Sequence, residues 1–239
     1  MFLLLLIAIS ATAFAEPARV HVFVALVDNR TQGIEPVPAR IGDGDNKETN
    51  LYWGCDEALK PVLKTGGEWK LVSSAPGPKP EILERATFMH RSGKWTLTAD
   101  AYRGAEIRTC ISDFFTSLAS DEPVEKLPLV AYIGHDGLMD FQLPPEATAK
   151  RGPGRQAVVL CCKSDGYFSP HLAAVNARPL VLTTQLIYPG GFILRAVLDG
   201  WMRGENGGAL CERAAASYAR NQGISVKAAR GVFTTGAAR

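Results

Sequence analysis

Neither sign of charge dominates this chain. Lys and Arg number 26 against 24 Asp and Glu, a formal net charge of +2, and no basic run is interleaved with aromatic residues. That leaves no electrostatic footprint for nucleic acid or for an anionic membrane surface. Long apolar runs are equally scarce: after residue 15 none approaches the roughly 20 residues that span a bilayer, so no stable membrane insertion is expected of the mature chain. Internal repeats and low-complexity tracts are missing. Cysteine is sparse, five in 239 residues. Five are too few for a disulfide scaffold, and the odd count leaves at least one thiol free or paired with another molecule.

What is present is ordinary globular composition, 46% hydrophobic and 21% charged, enough to bury one full core. Residues 1–15, MFLLLLIAISATAFA, pattern as a secretory signal peptide, with an apolar stretch from Phe2 to Ile9 and the small-x-small site Ala13-Phe14-Ala15 before Glu16. The expectation is a single domain over 16–239, secreted or periplasmic.

Along that domain, ARVHVFVALVD (18–28) is a β-branched apolar run and predicts a first, central strand. The Gly-, Pro-, Asp- and Asn-rich stretch 29–50 predicts a long loop. CDEALKPVLKT predicts a short helix and EWKLVSS a strand. ILERATFMHR and KWTLTADAYRG flank Ser92-Gly93 as a hairpin, expected at the edge of the sheet. GAEIRTCISDFFTSLAS spaces Ile107, Cys110, Ile111, Phe114, Phe115 and Leu118 as a helical stripe. Apolar runs at 127–135, 155–162 and 178–186 predict further strands, and helices follow at 190–204 and 209–223. Strands apolar on both faces and alternating with helices predict an α/β three-layer sandwich with a mainly parallel central sheet.

Two of these runs end on chemically capable residues: LVAYIGHDG stops at His135, and AVVLCCKSDG at Cys161-Cys162. In open α/β sheets ligands bind beyond the carboxyl ends of the strands. Strands consecutive in sequence are usually neighbours, roughly 5 Å apart. A thiol and an imidazole leaving two such tips can flank one carbonyl, the thiol attacking and the imidazole moving its proton. Successive strand side chains point to opposite faces, which assigns Cys162 to the site and Cys161 to the core.

A hydrophobic strand ending in His-Gly, followed by one ending in Ala-Cys, resembles the caspase–hemoglobinase fold of cysteine peptidases, the group of caspases, legumains, gingipains, clostripains and separases. Here the blocks are LVAYIGHDG and AVVLCCKSDG, with Cys161 at the usual alanine and Asp136 standing between His135 and Gly137. The resemblance implies a caspase-like fold and a peptidase taking a peptide or protein substrate. It implies Cys162 as nucleophile and His135 as general acid/base. The oxyanion donors would be the Cys162 N–H and an N–H of Gly137 or Asp136. Walls of the substrate pocket would come from Asp28 and Asn29 after the first strand, and from Thr183 and Thr184 within 183–191. A different class of reading is a non-catalytic binding or interaction protein that keeps this fold; Asp136 and the doubled cysteine favour it.

Other constellations are weaker. His135, Asp136, Cys161, Cys162 and His171 include metal-ligating types, but adjacent cysteines chelate poorly and no ligand spacing repeats. Asp43 and Asp45 resemble the start of a calcium loop, yet the fifth position counted from Asp43 is Lys47 and the twelfth is Gly54, where a bidentate Glu is needed. No cofactor and no metal are expected. SDGYFSP is not a serine-nucleophile elbow, and Ser164 is expected to cap the helix after the second strand.

Overall fold

In a computed structural model, residues 16–236 are described; the expected signal segment 1–15 lies outside them. Those residues form an α/β fold around a mixed sheet of eight strands. In chain order the strands are β1 (Ala18–Ala25), β2 (Trp69–Ala75), β3 (Ile82–His90), β4 (Trp95–Tyr102), β5 (Leu129–Ile133), β6 (Gln156–Leu160), β7 (Arg178–Thr183) and β8 (Phe233–Thr234). The helices are α1 (Leu59–Thr65), α2 (Ile107–Leu118), α3 (Ser164–Tyr167), α4 (Ser169–Ala174), α5 (Gly191–Trp201), α6 (Gly207–Gln222) and α7 (Val226–Arg230). No helix among the described residues is long and apolar enough to cross a membrane.

The sheet order is β2-β3-β4-β1-β5-β6-β7-β8. Strands β4, β1, β5, β6 and β7 pair in parallel, while the β2–β3, β3–β4 and β7–β8 pairs are antiparallel. The hairpin expected at the sheet edge is therefore inside it. β4 pairs with β1 along its whole length, and β2 forms the outer strand. Leu97, Ala99 and Ala101 of β4 are wholly buried, which is what an interior strand requires and an edge strand does not.

Alternation along the parallel strands sorts their side chains into two cores. Val20, Val22 and Val24 of β1, Leu129, Ala131 and Ile133 of β5, and Val158 and Leu160 of β6 pack with residues of α1, α5 and α6. Phe23, Val130, Tyr132, Ala157, Val159 and Cys161 pack instead with Cys110, Ile111, Phe114 and Phe115 of α2. Burying each Val, Leu, Ile or Phe side chain among them stabilises the fold by roughly 1.5–3 kcal/mol, so both periodicities are held strongly.

A buried arginine fixes how β5 and β6 start. Arg155 is wholly buried. It donates to the carbonyls of Leu127 (2.9 Å), Leu118 (2.9 Å), Ser120 (2.8 Å) and Glu122. It thereby ties the end of α2 and the approach to β5 to the first residues of β6. The strands then run in register from Leu129↔Gln156 to Ile133↔Leu160.

Candidate functional site

His135 and Cys162 leave adjacent parallel strands at the same level. The last paired residues are Ile133 and Leu160, and Gly134 N–H still donates to Leu160 O at 3.3 Å. Two residues further along each chain stand His135 and Cys162. Cys161 sits wholly buried in the core of α2. Cys162 is half-buried and donates its S–H to Ile187 O at 3.6 Å, and Ile187 belongs to the opposite core. The two cysteines thus face opposite sides of the sheet.

The turn after Cys162 is held from both ends. Lys163 has φ 50°, left-handed for a residue with a Cβ, and its N–H donates to Gln185 O at 2.9 Å. Thr183, wholly buried, donates its hydroxyl to Cys161 O. Its Oγ1 accepts from Ser164 N at 3.1 Å, and its own N–H donates to Ser164 Oγ at 2.9 Å. Ser164 Oγ donates to Val159 O at 2.9 Å. Ser164 is the first residue of α3, and Lys163 occupies the cap position without a side-chain bond. The expected capping serine is in fact a tie between β6 and β7.

On the other strand, His135 Nε2 lies 2.6 Å from Asp140 Oδ2. Its carbonyl accepts from the Tyr132 hydroxyl at 2.7 Å. Asp136 is wholly buried; Oδ1 accepts from Leu138 N at 3.0 Å, Oδ2 has no partner at hydrogen-bonding geometry, and the Cys161 thiol stands beside the carboxyl. Burial, with Asp140 adding to it, pushes its carboxyl up to about 7. The same burial, with Asp136 beside it, pushes the Cys161 thiol well up. Cys162 is also pushed up, by burial first and by Asp136; a backbone contact with Ile187 and the Lys163 ammonium act the other way. The resting Cys162 is therefore a protonated thiol at neutral pH.

Gly137 N–H donates to His135 O at 3.1 Å. Among the described residues the N–H groups of Asp136 and Cys162 have no acceptor. No hydrogen bond joins the His135 ring to the Cys162 thiol: the ring goes to Asp140 and the thiol to Ile187.

The four expected wall residues are not gathered here as open side chains. Asp28 is 1% exposed and accepts from Arg30 N at 3.0 Å and Thr31 Oγ1 at 2.8 Å. Asn29 exchanges two hydrogen bonds with the Val37 backbone, 2.7 and 3.0 Å. Thr183 is enclosed as described, and Thr184 Oγ1 donates to Gly231 O at 2.6 Å. The β7–α5 connection passes the thiol with its backbone, Gln185 O accepting from Lys163 N and Ile187 O from Cys162 Sγ, and its Gln185 and Leu186 are exposed, the latter 66%. Tyr52, between the long loop and α1, lies within electrostatic reach of Cys162.

Asp43 and Asp45 face arginines: Arg30 lies 3.6 and 3.4 Å from them, and Arg103 lies 2.6 Å from Asp45. His171 rests against the Phe115 ring at 5.6 Å between centroids. Among the described residues no group of three or more His, Cys, Asp or Glu is arranged to hold a metal ion.

Residue pattern alone missed Asp140. An acidic residue five positions past a histidine is indistinguishable in sequence from any other turn carboxylate. In comparisons with known proteins, no family model, no curated protein and no solved structure matches this chain.

Proposed function

We propose that this chain is a divergent caspase-like cysteine hydrolase that cleaves peptide bonds with Cys162 and His135. One observation carries the reading: the thiol and the imidazole leave adjacent parallel strands level with one another, beyond the carboxyl edge where α/β sheets bind ligands. Helices packed against two separate cores support the three-layer part of the resemblance.

The chemistry follows from the resting protonation. The thiol proton passes to His135 as Sγ attacks the scissile carbonyl carbon, and negative charge develops on the carbonyl oxygen. The Asp136 and Cys162 N–H groups, without acceptors at rest, are the donors for that oxygen. The C–N bond then breaks, His135 returns the proton to the departing amine, and a thioester remains on Cys162. Water, losing its proton to His135, attacks the thioester, and the released thiol takes that proton back. Side chains free to meet a substrate near the thiol are Gln185 and Leu186. The same proposal places the mature protein outside the cytoplasm, with an N-terminus near Glu16 that mass spectrometry would detect.

A second reading, a non-catalytic interaction protein, is favoured by the elevated Cys162 thiol and the missing His135–Cys162 hydrogen bond. Hydrolysis of a fluorogenic peptide library decides between the two. The parent should cleave, Cys162→Ala should not, and Cys161→Ala should retain activity. A parent that cleaves nothing, or a Cys162→Ala variant as active as the parent, supports the interaction protein. An inactive Cys161→Ala beside an active Cys162→Ala moves the nucleophile by one residue.

A further inference from the structure

The histidine of this site has a carboxylate partner of its own. His135 Nε2 and Asp140 Oδ2 are 2.6 Å apart, with the ring 12% exposed and the carboxylate 44% exposed. An ionised carboxylate can only accept hydrogen bonds, and a neutral imidazole carries one proton on one of its two nitrogens. The pair is therefore satisfied only when Nε2 holds the hydrogen. Nδ1 is then the nitrogen with an open lone pair.

The backbone makes this arrangement stiff. His135 and Asp140 bracket a tight turn in which Met139 N–H donates to Asp136 O at 3.1 Å. In the same turn Asp140 N–H and Phe141 N–H both donate to Gly137 O at 3.0 Å. Asp136 Oδ1 caps the turn through Leu138 N. The Phe141 ring packs closely on Gly137, where a Cβ would come within 2.6 Å of it and displace it. The Arg108 guanidinium lies over that ring at 4.0 Å from its centroid, and Arg108 itself donates to Gln142 O at 2.7 Å.

Resting on the Cys162–His135 reading above, we infer that Asp140 is a positioning residue that holds His135 in its Nε2–H form and makes Nδ1 the atom that takes the thiol proton. A thiol that burial keeps protonated depends on a base of fixed orientation. A ring without the Asp140 anchor turns about its side-chain torsions and offers either nitrogen, or neither.

Two readouts test this on the purified protein. The first is the low-field NMR proton of a hydrogen-bonded imidazole N–H, assigned by its disappearance in His135→Ala. It should be present in the parent, missing in Asp140→Ala and restored in Asp140→Glu. The second is the rate at which iodoacetamide alkylates Cys162 at pH 7, followed by mass spectrometry. It should fall about tenfold or more in His135→Ala and in Asp140→Ala, with substantial recovery in Asp140→Glu. Unchanged thermal melting in Asp140→Ala separates positioning from a general loss of structure. If His135→Ala slows alkylation but Asp140→Ala does not, the inference is overturned while the dyad stands. If His135→Ala leaves the rate unchanged, the dyad reading fails and the positioning role falls with it.

Discussion

The exit of β1 and the joint exit of β5 and β6 lie along one edge of one sheet, yet they treat polar groups in opposite ways. After β1 the buried side chains Asp28, Gln32 and Asn50, and Asn29 beside them, are all matched. Asp28 accepts from two residues of its own loop. Asn29 is paired twice with Val37. Gln32 donates to Leu26 O at 2.7 Å and to Gly104 O at 2.9 Å. Asn50 accepts from Val27 N at 3.2 Å and donates to Val27 O at 2.9 Å. Those bonds fold a long, irregular segment onto the sheet. After β5 and β6 the match is incomplete: the buried Asp136 Oδ2 has no partner at hydrogen-bonding geometry, with only the Cys161 thiol beside the carboxyl. Unmatched buried polar groups are rare in folded proteins because each costs about 1–3 kcal/mol. The β1 exit is held by its own side-chain hydrogen bonds, whereas the exit of β5 and β6 keeps polar groups for which the proposed function offers a use.

Substitutions that should break this contrast begin with the largest effect. Cys162→Ala should remove peptide hydrolysis altogether while changing stability by no more than about 1 kcal/mol, since it deletes one half-buried sulfur. Denaturant titration beside the activity assay checks both halves.

Next comes Asp136. Its folded-state carboxyl titrates near 7 against an ordinary value of 3.8. At pH below that ordinary value folded and unfolded chains both hold the proton, and there is no cost. As pH rises toward 7 the unfolded chain releases it first, so stability falls across that window and levels off above it. Asp136→Asn keeps the acceptor for Leu138 N and should flatten the fall, gaining on the order of a few kcal/mol at pH 8. Urea melts of both proteins at pH 5 and pH 8 measure the difference; a parent equally stable at both would contradict the buried, unmatched carboxyl.

Asp28→Ala acts at the saturated exit. Burial pushes the Asp28 carboxyl up, but Arg30 N–H, the Thr31 hydroxyl and the Arg30 guanidinium together hold it below the usual range. That contribution is present above the ordinary carboxylate value and is lost as pH falls through the depressed one. The variant should lose about 1–3 kcal/mol at pH 7, and less in acid, with reactivity of Cys162 preserved in whatever fraction stays folded. The smallest effect belongs to Lys163, whose left-handed backbone suits glycine better. Lys163→Gly should change stability by under about 1 kcal/mol, toward stabilisation if relief of strain outweighs added chain entropy.

Much of this was legible in the chain. Apolar runs ending at His135 and Cys162 gave β5 and β6 as neighbours, and the alternation of strand faces separated Cys161 from Cys162. The stripe from Ile107 to Leu118 gave α2. What stayed hidden was non-local. Local pattern makes 95–102 a strand, but nothing within it says that β1 is its partner, so the hairpin was expected at the edge. β8 is two residues long, below any periodicity. Ser164 looked like a helix cap because its partner Thr183 lies 19 residues away. Asp28, Asn29, Thr183 and Thr184 stand at strand ends as the resemblance implies, but their hydrogen bonds to their own loops could be seen only in three dimensions.

Whether His135 activates Cys162 is read from the alkylation rates of Cys162, Cys55 and Cys211 at pH 7, site by site, in the parent and in His135→Ala. All three thiols are partly accessible, and burial pushes Cys211 up to about 11, which makes it an internal slow reference. The account predicts that Cys162 reacts fastest in the parent, despite its own burial, and slows about tenfold or more in His135→Ala while the other two are unaffected. A Cys162 no faster than Cys211 in the parent, or one indifferent to the loss of His135, would contradict it.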